Sequence, residues 1–173
     1  MSSKDAKITP DNANLAPPTY TAATSGSSLV PESQSRFASL SLHVSNRLRF
    51  LRFPQDVIEA CNETVVSTWK PGIQETRYYG KSRELKVNGH PWCSSGIEAI
   101  EARQLISALL ARLHSLGWVL LLSTDINKKV LDGDALLFRY QEVPPIECAW
   151  ASIGFTKRDK LHFIDCQLIY SVA

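Results

Sequence analysis

The sequence predicts an α+β fold: a largely antiparallel sheet of about eight strands built from hairpins, with two amphipathic helices packed on one face. Three observations predict it. Short runs of alternating apolar and polar residues occur in pairs joined by turn residues, as hairpins require. Two longer stretches repeat apolar residues every three or four positions, the period of an amphipathic helix. A hairpin separates these helical stretches, so the order of elements does not have the strict alternation of a parallel sheet.

The elements follow in order. Residues 1–36 are rich in Ser, Thr, Ala, Pro and Asn, carry isolated apolar residues and show no periodicity. Such a stretch buries too little apolar surface to offset the entropy of ordering it, so a disordered tail is expected, followed by one folded domain over residues 37–173. Residues 37–43 alternate as a half-buried strand, Val44-Ser45-Asn46 supplies a turn, and residues 47–53 form a second strand. On that strand Leu48 and Phe50 share one face while Arg47 and Arg49 share the other. Pro54 suits a first helical turn, and Val57, Ala60, Cys61, Val65 and Trp69 mark the helix that Lys70-Pro71-Gly72 ends. Strands over residues 73–79 and 83–87 follow, and Asn88-Gly89-His90-Pro91 is a strong turn signal.

The second helix opens with Ser95-Gly96-Ile97-Glu98, the spacing of a capping box in which Ser95 is the N-cap. Leu105, Ile106, Leu109, Leu110 and Leu113 make its stripe, and Gly117 stands where a left-handed cap is expected. Trp118-Val119-Leu120-Leu121-Leu122 is a continuous apolar run, suited to a central strand covered on both faces. A polar loop over residues 125–133 leads to a strand over residues 135–140. Beyond Pro144-Pro145, residues 150–166 repeat the strand, turn and strand of residues 37–53, with Ala38, Ser39, Leu48 and Phe50 matched by identical residues. A duplicated hairpin, set in the same sheet as the first, would account for that register. A further strand is expected around Leu168-Ile169-Tyr170.

Composition narrows the function. The 173 residues carry 19 Lys+Arg against 17 Asp+Glu, a formal charge of +2, which gives no bulk electrostatic case for nucleic acid. No apolar run approaches the roughly 20 residues of a membrane span and no signal-peptide pattern follows Met1, so a cytoplasmic protein is expected. Cys61, Cys93, Cys148 and Cys166 form no CxxC pair and have no His at zinc spacing, so free and mostly buried thiols are expected and no metal. Lys128 and Lys129 would repel a cation from the loop containing Asp125, Asp132 and Asp134. Glycine-rich phosphate loops and the GxSxG elbow are absent, so no cofactor is expected.

The sharpest functional signal is Pro17-Pro18-Thr19-Tyr20 in the tail. Consecutive prolines pre-set a polyproline II conformation that enters an aromatic groove at little entropic cost, and Tyr20 adds a second anchor. The motif resembles the Pro-Pro-x-Tyr ligand of WW domains, and the resemblance implies partners such as HECT-type ubiquitin ligases or their adaptors. The leading expectation is therefore a non-enzymatic interaction or adaptor protein that binds a WW-domain partner through Pro17, Pro18 and Tyr20, with no residue assigned to catalysis.

Two alternatives rest on the folded part. Cys93 precedes a helix N-terminus that could lower its pKa, which would suit a small cysteine-dependent enzyme using a base such as His90. Against this, Trp92 can simply anchor the turn into the core. If the two hairpins were equivalent, Arg47, Arg49, Lys160 and His162 would line one strand face able to bind phosphates or anionic lipid. An open sheet also leaves an edge strand through which two copies could pair.

Overall fold

A computed structural model describes residues 36–124, 132–143, 145–146, 148–156 and 160–166. Pro17, Pro18 and Tyr20, the loop residue Asp125 and the strand expected around residues 168–170 lie outside the described residues. The elements are β1 (Phe37–His43), β2 (Arg47–Leu51), α1 (Gln55–Thr68), β3 (Ile73–Tyr79), β4 (Ser82–Val87), α2 (Ile97–Ser115), β5 (Trp118–Thr124), β6 (Asp132–Tyr140), β7 (Ser152–Thr156) and β8 (Lys160–Ile164). A 3₁₀ turn, Pro91–Cys93, precedes α2.

Six strands form one antiparallel sheet in the order β3-β4-β2-β1-β6-β5. Alternation sends Ala38 and Leu40, Leu48 and Phe50, Leu85 and Val87, and Leu136 and Phe138 to one face, where all are buried. Val57, Cys61 and Val65 of α1 meet them there together with Leu105, Leu109 and Leu113 of α2, so both helices cover that face. Burial pushes the Cys61 thiol up to about 12, although nearby Arg112 pulls the other way, so this cysteine is a small core hydrophobe. Cys93, Cys148 and Cys166 are exposed, contrary to the expected burial, because they lie in turns and extended segments rather than on a core-facing stripe.

Five other expectations are corrected. The strand expected to reach residue 53 stops at Leu51, because Arg52 takes a left-handed φ of 64° and turns the chain. Phe53 is thereby carried into the core, edge-on to Phe50, Trp118 and Phe138. Ser95 is not the cap of α2: Gly96 holds that position with φ 66°, and no side chain bonds the first turn. The preceding 3₁₀ turn delivers the chain in a left-handed conformation that glycine accepts and serine resists, which shifts Glu98 out of capping-box register.

β5 is an edge strand, not a central one. Its unbroken apolar run reflects a bulge: Leu120 pairs with Phe138 but Leu122 with Leu137, so Leu121 is inserted and the alternation changes phase. Leu121 and Leu122 are accordingly exposed.

The second hairpin does not join the first. β7 and β8 form a sheet of their own, with Ser152 opposite Ile164 and Thr156 opposite Lys160. It packs toward α2, with Gly154 against Arg103 and Asp165 accepting a 3.3 Å hydrogen bond from Gln104. The strand expected from residue 135 begins at Asp132, which pairs with His43 and draws Asp132 and Asp134 out of the expected loop.

Gly117 behaves as expected. Its φ is 84°, and a Cβ there would lie 2.6 Å from the Gln141 carbonyl oxygen. The same backbone closes the α2 end onto β6 through a 2.8 Å bond from the Gln141 N–H to the Gly117 carbonyl. Among the described residues, no helix is long and apolar enough to cross a membrane.

Candidate functional site

The sheet face turned away from the helices holds the most organised polar group in the fold. Alternation puts Arg47 and Arg49 on it from β2, and register brings Glu84 of β4 opposite Arg49 and Arg77 of β3 opposite Glu84. Arg47 and Arg49 are thus together on one face, as their spacing requires.

Three guanidinium groups close over the one carboxylate. Arg49 Nε donates to Glu84 Oε2 at 2.6 Å, Arg77 Nε and Nη2 donate to Oε1 at 2.9 and 2.8 Å, and Arg47 Nη1 donates to the same oxygen. The Glu84 side chain is 0% exposed although no helix covers it. Burial alone would raise its pKa, but the hydrogen bonds from Arg49, Arg77 and Arg47 outweigh burial and hold the carboxyl below its ordinary range. Arg49 also lies over the Tyr79 ring, 3.9 Å from its centroid, and Lys86 pairs with Arg47 across the strands. The cluster is cross-strand glue between β2, β4 and β3, with more positive than negative charge left facing water.

Lys160 is not part of this group. It opens β8 in the separate hairpin, and that hairpin packs toward α2, on the helix side. His162 shares that hairpin and faces Gly154.

Around Cys93 the chain is pinned by other contacts. Trp92 donates its indole N–H to the Arg47 carbonyl at 3.2 Å, and its backbone N–H bonds the Ser45 carbonyl at 3.1 Å. The His90 ring shares a 2.8 Å hydrogen bond between Nδ1 and Ser45 Oγ. Cys93 ends the 3₁₀ turn, exposed, and α2 begins only at Ile97. Among the described residues no base is hydrogen-bonded to its thiol, and no group of His, Cys, Asp and Glu side chains could hold a metal.

A groove of about 450 Å³ runs between α2 and the segment that leads into β7. Trp92, Ile106, Leu110 and Trp150 supply apolar walls, and Arg103 and Ser152 supply polar groups. None of Arg103, Trp150 or Ser152 has a signal in local sequence that would single it out. Arg103 reads as an ordinary polar position of a helix until β7 is laid beside it.

Residues 36–139 match the model of one protein-domain family, whose description states no activity. The match spans the six-stranded sheet and both helices and ends before the β7–β8 hairpin. No curated protein matches the chain. A crystal structure of a conserved kinetoplastid-specific protein from Trypanosoma cruzi is similar to it at 12% identity, over 61% of this chain and 94% of that one, with a TM-score of 0.44.

Proposed function

We propose that this chain, which belongs to the domain family matched over residues 36–139, is a non-enzymatic interaction protein whose tail offers Pro17, Pro18 and Tyr20 to a WW-domain partner. The observation that carries the reading is the boundary of the family match. It begins at residue 36, so Pro17-Pro18-Thr19-Tyr20 falls outside the matched range, in a stretch of small polar residues. Partners of the HECT-type ubiquitin ligase class, or their adaptors, carry the matching grooves. A contact of four residues binds modestly, and the folded domain provides room for a second contact that would raise avidity.

Titration of isolated WW domains with the full chain, and with a labelled peptide of residues 13–25, tests this reading. Saturable binding is expected, weakened at least about tenfold, or about 1.4 kcal/mol, in Tyr20→Ala. Absence of binding by both the peptide and the full chain across a broad WW panel would reject it. Phosphorylation of Tyr20 should also abolish binding, because the added charge enters an apolar groove.

A second reading keeps Arg47 and Arg49 as an anion-binding face. Three guanidinium groups share one carboxylate there, which favours it, while Lys160 contributes from the other hairpin only if a ligand spans both. Retention on anionic vesicles at low salt, falling steeply with added salt and lost in Arg77→Gln, is the expected result. Equal retention on neutral vesicles would exclude it.

A further inference from the structure

We propose that the groove between α2 and the start of β7 is a binding site for a small amphipathic monocarboxylate, with Arg103 taking the carboxylate and the tryptophan-lined wall taking the apolar body. The lining is mostly apolar, and Arg103 is its single charged residue. A volume of about 450 Å³ is that of an ordinary small-molecule site.

The charge pattern selects the ligand. Among the described residues no Asp or Glu pairs with Arg103; its guanidinium donates only to two backbone carbonyls, Ala99 at 3.1 Å and Phe155 at 3.5 Å. Five N–H groups radiate from a guanidinium, so donors remain for a planar two-oxygen acceptor. The group is also held in place. It lies flat against Gly154, where a Cβ would stand 3.1 Å from both Nε and Cζ, so the absence of a side chain at 154 makes room for it.

Ser152 also lines the groove, and its hydroxyl is shielded from solvent with no hydrogen-bond partner among the described residues. A cation would be repelled by Arg103, and a wholly apolar ligand would leave its spare donors unanswered. A carboxylate on an apolar body satisfies the charge and the tryptophans together. The wall formed by Trp150 and Ser152 lies beyond residue 139, so the site belongs to this chain's own extension of the family domain.

Decanoate and decanol, which share a chain length but not a charge, are the probes, with the full chain titrated by calorimetry and by tryptophan fluorescence from Trp92 and Trp150. Decanoate is expected to bind at least about tenfold more tightly than decanol. Arg103→Gln should erase that preference while decanol binding persists, which shows an intact groove, and Arg103→Lys should restore part of it. Equal binding of both probes, a preference that survives Arg103→Gln, or no binding of either would overturn the proposal.

Discussion

Glu84→Ala lowers the stability of the fold by about 3 kcal/mol at pH 7, the lower end of what breaking a buried ion pair costs, because the arginines involved still reach water. The variant leaves Arg47, Arg49 and Arg77 facing one another across three strands with nothing between them. Urea unfolding at pH 7 measures the loss. Glu84→Gln should recover little of it, since the amide keeps the shape but not the charge. A destabilisation under 1 kcal/mol in both variants would mean that the arginines relax outward and that the cluster holds nothing together.

The same contact makes stability depend on acid. Glu84 has its carboxyl held low in the folded chain and near 4.3 in the unfolded one, so its contribution is full above about pH 4.3 and is lost as pH falls through the folded value. The wild-type chain should therefore lose stability on the acid side more steeply than Glu84→Gln. Curves that stay parallel down to the unfolding pH would contradict the assignment.

Trp69→Ala is expected to cost about 4 kcal/mol, in the range of large aromatic deletions from a core. Trp69 follows the last residue of α1 and is almost wholly buried; its indole N–H donates to the Asn88 carbonyl at 2.9 Å. One side chain thus ties the end of the first helix to the turn after β4. Trp69→Phe separates the two contributions, retaining most of the apolar contact and losing the hydrogen bond at about 1 to 2 kcal/mol. Equal losses in the two variants would assign the whole effect to the hydrogen bond rather than to packing.

Element types were largely legible because they depend on neighbours in the chain. The stripe of Leu105, Leu109 and Leu113, the alternation of Leu48 and Phe50, and the left-handed stop at Gly117 are each specified within a few residues. Boundaries failed where the backbone departs from a regular period. The left-handed Arg52 and the bulge at Leu121 each break a pattern that residue types alone continue. Half of the arginine cluster was legible in the same way. Arg47 and Arg49 share a face by spacing, but Glu84 and Arg77 join them only through the pairing of β2 with β4 and of β4 with β3.

The two hairpins separate most clearly what each level determines. Leu48 and Phe50 match Leu161 and Phe163 in residue type and in position along a strand, and by itself the sequence determined both hairpins and the side chains that share a face in each. In the first hairpin those residues are 0% and 1% exposed; in the second they are 51% and 65% exposed. Alternation is a local property of the backbone, so it groups side chains without saying what they meet. Only the tertiary structure decided that one such face would be closed by two helices and the other left facing outward, because the partners that bury a strand come from distant parts of the chain.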